Sequence, residues 1–415
     1  MVTTLLSARR FLPLFVTQFL GALNDNLFKN AMVVLLLWRA GDAGPTLVAA
    51  AGGVFILPYA LFSGLAGELA DRSDMARLAR AIKLFEIGLM ALGGLGLMTG
   101  DAWLLMGVLF GLGVHSTFFG PVKYAILPAH LAPGELVLGN GLVEAGTFVA
   151  ILLGTIAGGA LVLQGEGGWL VTAGGMLVAL AGYGAARAIP SVPPAAPGLA
   201  LDWTLWRGTV AILRLARANP PVWLAILAIS WFWTMGATVL SQFPVMAKDV
   251  LGAGPGVVTL FLAVFSVGVG LGSLLEARLL AGRLSLRHVP WAALGLSLFL
   301  ADFVAACVGA RFADVAEMLA MPGGWRVLGD LLGLAICGGI FSVPLYARMQ
   351  ALAAPATRAR MIAANNVMNA VFMVAGAGVA GGLSAAGFGA PRILVVAAVL
   401  NLAAAAALYR RRLDQ

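Results

Sequence analysis

The run Phe11-Leu-Pro-Leu-Phe-Val-Thr-Gln18-Phe-Leu-Gly-Ala-Leu-Asn24-Asp25-Asn26-Leu-Phe-Lys29-Asn30-Ala-Met-Val-Val-Leu-Leu-Leu-Trp38 decides what kind of protein this is. As a helix it is long enough to cross the roughly 30 Å hydrocarbon core of a bilayer. It is nearly all apolar except at its centre, where Asn24, Asp25, Asn26, Lys29 and Asn30 interrupt it. A carboxylate at bilayer depth costs about 2.5–3.5 kcal/mol on insertion scales. Lys29 follows Asp25 by four residues, so the two share a helical face and can neutralise each other. Gln18 lies on that face, seven residues before Asp25. A chain keeps such a cluster where it faces protein or a water-filled cavity. These six residues are the first candidates for a binding site within the membrane.

The rest of the chain has the same character. Of 415 residues, 61% are hydrophobic and 11% charged, and the mean hydropathy is +0.97. A water-soluble domain of that composition lacks the polar surface it needs. Twelve apolar spans are read, at 11–38, 46–69, 82–99, 102–122, 137–163, 169–186, 221–246, 256–279, 289–309, 327–347, 361–383 and 391–409. Each reaches the roughly 17–25 residues a spanning helix needs. The 54 glycines suit helices that pack closely in lipid.

Basic residues set the orientation. With both termini in the cytoplasm, twenty of the 26 Lys and Arg lie inside, from Arg9 and Arg10 to Arg410, Arg411 and Arg412, with Lys83 near the inside end of span three. Five lie outside: Arg39, Lys248, Arg311, Arg326 and Arg392. The positive-inside bias together with anionic headgroups accounts for the net charge of +8 without nucleic acid. The first span follows two arginines and runs too long for a cleaved signal, so it reads as a retained helix.

The longest inside segment, 187–219, separates bundles at 1–186 and 220–415. It opens with the stiff stretch Pro190-Ser-Val-Pro-Pro-Ala-Ala-Pro197 and continues from Leu201 to Arg217. Apolar residues there recur at helical spacing between Arg207, Arg214 and Arg217. Two readings stand: an amphipathic helix with Trp203 and Trp206 at headgroup depth, or a plain tether.

The two bundles repeat each other. Phe118-Phe-Gly-Pro-Val-Lys-Tyr-Ala ends span four, and Phe341-Ser-Val-Pro-Leu-Tyr-Ala-Arg ends span ten. Gly139-Asn140-Gly-Leu-Val-Glu144-Ala opens span five, and Ala364-Asn365-Asn366-Val-Met-Asn369-Ala lies in span eleven. The fold expected is an all-α membrane protein of twelve transmembrane helices in two six-helix repeats, which is the organisation of a major facilitator transporter.

After span two comes Gly67-Glu-Leu-Ala-Asp71-Arg72-Ser-Asp-Met-Ala-Arg77, which matches the Gly-x-Leu-Ala-Asp-Arg loop of major facilitator proteins. Gly67 permits close helix contact, and Asp71 with Arg72 and Arg77 can build a charge network that holds one conformation and releases it in another. Gly272-Ser-Leu-Leu-Glu276-Ala-Arg278 is a degraded copy. These residues are the gating candidates; the plainer reading is a positive-inside loop. Asn140 and Glu144 share a face of span five, and Glu144 is a candidate to meet Lys29 across a cavity. Asn365 and Asn369 offer amide hydrogen bonds to substrate or between helices. The Asp25–Lys29 pair is open to a structural reading, as an ion pair between helices, and to a functional one, as a substrate or proton site. Its depth in the membrane favours the second. His115, mid-span, reads as a packed, hydrogen-bonded residue. Glu86 reads as a partner of Lys83 or of the loop arginines.

Enzyme signatures are missing. No lysine follows a glycine, so there is no Walker A lysine, and neither a Gly-x-Ser-x-Gly elbow nor His-Glu-x-x-His occurs. His130 to Glu135 has acyltransferase-like spacing, read as coincidence. Cys307 and Cys337 lie within spans and have no metal-ligand spacing, so neither cofactor nor metal is expected.

The stretch from Phe11 to Ala31 resembles the opening of the bacterial lysophospholipid transporter family of the major facilitator superfamily. Phe119-Gly-Pro-Val-Lys-Tyr-Ala-Ile-Leu-Pro, the stretch 139–145 and Arg358-Ala-Arg-Met-Ile-Ala-Ala-Asn-Asn are similar as well. The resemblance implies inward movement of lysophospholipids, such as lysophosphatidylethanolamine, across the inner membrane of a bacterium. It also implies a companion acyltransferase–acyl-carrier-protein synthetase, expected as a separate protein. Lys29, Asn24, Asn26 and Asn30 then meet an anionic headgroup, and glycine-rich spans five, eight and eleven part to admit lipid sideways. Two other classes compete: a proton-coupled exporter of amphipathic drugs or metabolites, using Asp25 and Glu144, and a scaffold that docks a lipid-repair enzyme through 187–219.

Overall fold

The computed structural model describes residues 2–39 and 44–410. Arg411, Arg412 and the C-terminal Gln415 lie outside the described residues. Twelve long helices follow one another: α1 (Leu12–Arg39), α2 (Gly44–Arg72), α3 (Met75–Thr99), α4 (Ala102–Ala125), α5 (Leu136–Val162), α6 (Gly167–Arg187), α7 (Pro220–Val245), α8 (Pro255–Leu280), α9 (Val289–Cys307), α10 (Pro322–Leu352), α11 (Arg358–Ala385) and α12 (Ala390–Arg410). Each covers one of the twelve spans read from the sequence. No strand occurs among the described residues. Eleven of the twelve helices contain stretches long and apolar enough to cross a membrane; the exception is α1, with its central polar run.

Local chemistry sets the helix ends. Asp74 caps α3 by accepting from the amides of Ala76 (2.8 Å) and Arg77 (3.3 Å), and Gly100 ends it at φ 70°. Asp101 caps α4 in the same way. Burial works against the Asp74 charge, but hydrogen bonds from Ser191 and from the amides of Ala76, Val192 and Arg77 outweigh it, holding the carboxyl below the usual range. Pro121 in α4 and Pro344 in α10 occupy equivalent places in the two repeats, and each sits inside its helix. Proline there leaves a carbonyl of the preceding turn without its amide partner.

By packing, the chain divides into two units. The first comprises Met1–Gly139, Ala150–Ile226 and Met349–Ala370; the second comprises Asn140–Val149, Leu227–Arg348 and Val371–Gln415. In the first, Leu27, Phe28 and Met32 of α1 pack with Leu105, Leu109 and Leu112 of α4. Helix α5 lies so close to α1 that a side chain at Gly154 or Gly158 would strike the carbonyl oxygens of Leu23 and Leu27. The segment 201–217 belongs to this unit as well. It forms a helix at Leu205–Arg217, starting four residues later than the sequence pattern suggests. It is more than a tether: Thr209 donates to the Ala60 carbonyl (3.0 Å), Glu68 accepts from the Asp202 amide (2.8 Å), and Gly64 abuts Gly208. Trp203 and Trp206 are exposed. In the second unit, Phe243, Phe261, Phe265 and Phe303 form an edge-to-face cluster. Helices α8 and α10 meet there through Gly272 and Gly339.

Gly158→Ala should therefore destabilise the protein by about 1–3 kcal/mol, because its methyl meets backbone that cannot rotate away. Gly174→Ala in α6, whose methyl meets nothing within 4 Å, should leave stability unchanged or raise it by up to about 1 kcal/mol. Denaturant titration of the two variants checks this pair, and equal losses would refute the close-packing account.

Candidate functional site

The polar residues of α1 fan out to four different neighbours. Asn24 donates to Glu86 Oε1 of α3 (2.8 Å). Asp25 Oδ2 accepts from Ser116 Oγ of α4 (2.6 Å), and Asp25 Oδ1 lies 3.9 Å from His115 Nδ1. Lys29 Nζ sits 5.4 Å from the ring centroid of Phe55 in α2, a cation–π contact. Asn30 donates to the Thr155 carbonyl of α5 (2.6 Å), and Asn26 to the Ala22 carbonyl of its own helix (2.8 Å). Asp25 and Lys29 form no ion pair with each other, despite their i,i+4 spacing. Helical spacing puts them on one side, but each side chain is captured by a different adjacent helix. Gln18 is buried.

Behind Asp25 lies a set of charges whose depth the sequence reading did not anticipate. Lys83 and Glu86 of α3 are ion-paired, and both side chains are 0% exposed. Lys83 is thus no headgroup-facing residue, and it drops out of the tally for orientation. Three residues apart on α3, the pair is walled in on its other sides: Gly21 and Gly182 leave room for the ammonium, and His115 Nε2 stands 3.3 Å from Glu86 Oε2. The His115 ring stacks on Phe119, with centroids 6.1 Å apart and planes 5° from parallel. A chain of groups results: Lys83, Glu86, His115, Asp25, Ser116. Its members come from α1, α3 and α4. Each of these residues is visible in the sequence as a polar interruption of an apolar span, but three separate spans must converge before the chain exists.

A second polar centre joins α2 to the start of α11. The Asp71 carboxylate, fully buried, accepts from the Ala359 amide (2.9 Å), the Arg360 amide (3.4 Å) and Arg360 Nε (2.9 Å). It caps the N-terminus of α11 from a distance of nearly three hundred residues, where backbone donors and the helix dipole favour an anion. A methyl on Gly67 would lie 2.8 Å from Ala363 Cβ and 2.9 Å from Arg360 Cα. The Asp71 carbonyl in turn accepts from the Ala196 amide (2.8 Å), tying the proline-rich segment to the same point. Arg72 and Arg77 are exposed, and Arg77 lies 3.9 Å from Asp74. The arginine that engages Asp71 is Arg360, which motif reading had not assigned; its signal was only its place at the start of span eleven. Asn365, one turn further along α11, is 1% exposed, and neither its oxygen nor its nitrogen has a hydrogen-bond partner. Asn369 is partly buried on the same helix.

In the second unit the repeat is imperfect. Glu276, the counterpart of Asp71, is buried and pairs with His288 at 3.0 Å, while Arg278 is exposed. Asn140 and Glu144 are buried. Nearby, Phe148 stacks on Trp233, whose indole donates to the Tyr346 hydroxyl (2.8 Å). An apolar crevice of about 310 Å³ opens beside α7, lined by Trp231, Met235, Phe372, Val379 and Leu400 among others. On the first unit, Arg10 clasps Glu135 through two 2.6 Å contacts and also donates to the His130 carbonyl (3.0 Å), so the His130–Glu135 segment anchors the base of α1.

Comparison with known proteins gives a consistent result. The family model described as Major Facilitator Superfamily matches residues 14–321. The lysophospholipid transporter LplT of Enterobacter sp. (strain 638) is 29% identical over 345 residues, covering 80% of this chain and 78% of the relative. The protein of that name from Klebsiella pneumoniae subsp. pneumoniae is 28% identical over 354 residues, covering 83% and 81%. Among solved structures, a bacterial homologue of the iron transporter ferroportin in its outward-facing state superimposes with a TM-score of 0.72 at 14% identity, over 97% of this chain and 99% of that one. The Escherichia coli fucose:proton symporter gives 0.69 at 15% identity, over 97% and 98%. At these identities the two structures speak for the fold alone.

Proposed function

We propose a function from one premise: the chain belongs to the major facilitator superfamily, and is a multi-pass membrane protein. It moves lysophospholipids to the inner leaflet of a bacterial inner membrane by alternating access, with lipid entering from the side. The observation that carries this reading is the likeness to relatives named as lysophospholipid transporters, which extends over about four-fifths of both chains.

The chemistry fits. A lysolipid has an anionic phosphate and a single acyl chain. Lys29, held over Phe55 and with no ion pair within 4 Å among the described residues, supplies a cation for the phosphate. Asn365 supplies a buried amide whose donor and acceptor are both unengaged, a costly state that a polar ligand relieves. Gln18, Asn24, Asp25, Asn26, Asn30, Asn140, Glu144 and Asn369 are the remaining members of the proposed site. Asp71 with Gly67 and Arg360 is the proposed latch, closed in this structure and opened in the cycle; Arg72, Arg77, Glu276 and Arg278 complete the proposed gating set. Twelve transmembrane helices with both termini cytoplasmic, bundles at 1–186 and 220–415 and a linker at 187–219 are the proposed topology. A separate acyltransferase–acyl-carrier-protein synthetase is the proposed partner that restores the missing chain.

The test is transport by the purified chain in proteoliposomes. Labelled lysophosphatidylethanolamine should cross at least about tenfold faster than diacyl phosphatidylethanolamine, the discrimination expected of a site that seats one chain and not two. Equal rates for both lipids, or faster movement of a cationic amphiphile than of either, would refute the lysolipid assignment.

A further inference from the structure

The linker helix at Leu205–Arg217 has a face that the transport reading does not use. One side of it, Gly208, Thr209, Ile212 and Ala216, is buried. The other side carries Trp206, Val210, Leu213 and Arg217 at i, i+4, i+7 and i+11, and next to that stripe Arg207, Ala211 and Arg214 at i, i+4 and i+7. Trp203, just ahead of the helix, is 73% exposed, Trp206 74% and the Arg207 side chain 77%. Ala211, Arg214 and Arg217 are exposed as well. Asp202 is the single carboxylate between Arg187 and Asn219, and it lies 3.9 Å from Arg207 Nε. Among the described residues, Arg214 and Arg217 have no carboxylate within 4 Å, and the Arg217 guanidinium rests 5.6 Å from the ring centroid of Trp223. The face is cationic and aromatic at once.

That mixture fits one environment. Two tryptophans standing free in water waste apolar surface. Three guanidiniums in hydrocarbon are expensive charges. The headgroup layer suits both, because indoles concentrate there and arginines meet phosphate there. The contacts with α2 set the same depth. Glu68 accepts from the Asp202 amide, Gly64 abuts Gly208, and the Ala60 carbonyl accepts from Thr209. At a rise of about 1.5 Å per residue, these points lie about 6, 12 and 18 Å along α2 from its end at Arg72. The 29 residues of α2 make roughly 44 Å, which exceeds the hydrocarbon core by about 7 Å at either end. The linker helix therefore begins at the edge of the hydrocarbon and rests against a part of α2 that lies within it. Its outward face meets lipid, and its arginines reach back to the headgroups along their apolar stems.

We propose that this face is a binding site for anionic phospholipid headgroups. Arg207, Arg214 and Arg217 donate to phosphate oxygens, while Trp203 and Trp206 lie at the level of the lipid glycerol. The site needs α2 to cross the membrane and nothing of the lysolipid reading; its assignment to the cytoplasmic leaflet rests on the proposed topology. Lipid, and not a docked enzyme, is then the occupant of this segment.

The test places a fluorophore on Ala211→Cys, between Arg207 and Arg214, in the full chain reconstituted in phosphatidylcholine vesicles. Cys307 is buried and Cys337 partly so, and labelling of the parent chain sets the background. The quenchers are phosphatidylglycerol or phosphatidylcholine bearing a nitroxide high on one acyl chain, and iodide in the water. Phosphatidylglycerol should quench at about fivefold lower mole fraction than phosphatidylcholine, the preference worth one arginine at an anionic surface. The preference should fall below about twofold when Arg207→Gln, Arg214→Gln and Arg217→Gln are combined. If that variant does not fold, the unsubstituted arginines answer through salt: the preference should shrink to the same level at about 1 M. Equal quenching by the two lipids at low salt would overturn the site. Iodide quenching as strong as for free dye, with none from either lipid, would place the face in water and overturn it too. An impermeant maleimide that reaches Ala211→Cys from outside intact cells would overturn the cytoplasmic placement and the topology behind it, with the lipid preference then deciding the site alone.

Discussion

Lys83→Met should cost about 3–5 kcal/mol of stability, the loss typical when one member of a buried ion pair is removed. Lys83 and Glu86 are both wholly inaccessible, so no water can replace the missing ammonium. Glu86 would keep the Asn24 amide and His115, 3.3 Å away, but the cluster would then carry two carboxylates and one imidazole. Protonation of Glu86 is the available escape, and the stability loss should therefore shrink as the pH is lowered. The double variant Lys83→Met with Glu86→Gln removes both charges at nearly constant volume and should regain most of the loss. Chemical denaturation of the wild type and the two variants at two pH values is the measurement. A single variant as stable as the wild type would show that Lys83 is not the counter-ion of this cluster.

Asp71→Ala should slow lysolipid flux by an order of magnitude or more while headgroup affinity changes little. The carboxylate holds two backbone amides at the start of α11 and the guanidinium of Arg360. Hydrogen bonds to a charged group contribute about 1.5–3 kcal/mol each. Losing even about 3 kcal/mol from one of two conformations moves their ratio on the order of a hundredfold, enough to stall a cycle that must visit both. Asp71→Asn keeps one acceptor and should fall between. A cysteine introduced as Thr357→Cys, just ahead of α11, should react faster with a maleimide once Asp71 is replaced. Unchanged labelling together with normal flux would rule out a latch, whereas weakened lipid binding at a normal cycling rate would move Asp71 into the binding site.

Much of this was legible before any coordinates. Hydrophobic spans of fixed minimum length follow from bilayer thickness, so all twelve long helices could be located; their ends depart from expectation by up to seven residues, the most at Met75, where the Asp74 cap starts α3 ahead of the apolar run. The repeat, too, is a matter of spelling: Pro121 and Pro344 share their helix position as they share their local sequence. The Gly67–Asp71 loop announced that it had a partner. The cluster of Asn24, Asp25 and Lys29 announced an interior site, because polar groups at that depth must face protein or water.

What the sequence could not supply was the partner in each case. The i,i+4 spacing suggested that Asp25 would neutralise Lys29, yet side chains on one helical face are free to lean toward different neighbours, and these go to α4 and α2. His115 and Glu86 read as unremarkable interruptions, because an isolated histidine has no meaning until something charged stands beside it. Arg360 is nearly three hundred residues from Asp71, and no local rule links them. The amino-acid order by itself determined the long helices and their number, since these depend on the exchange between one segment and lipid; the burial of Lys83 and Glu86 it did not determine. Only the tertiary structure decided which charge meets which, because pairing in a low-dielectric interior depends on distances of a few ångströms between segments remote in the chain.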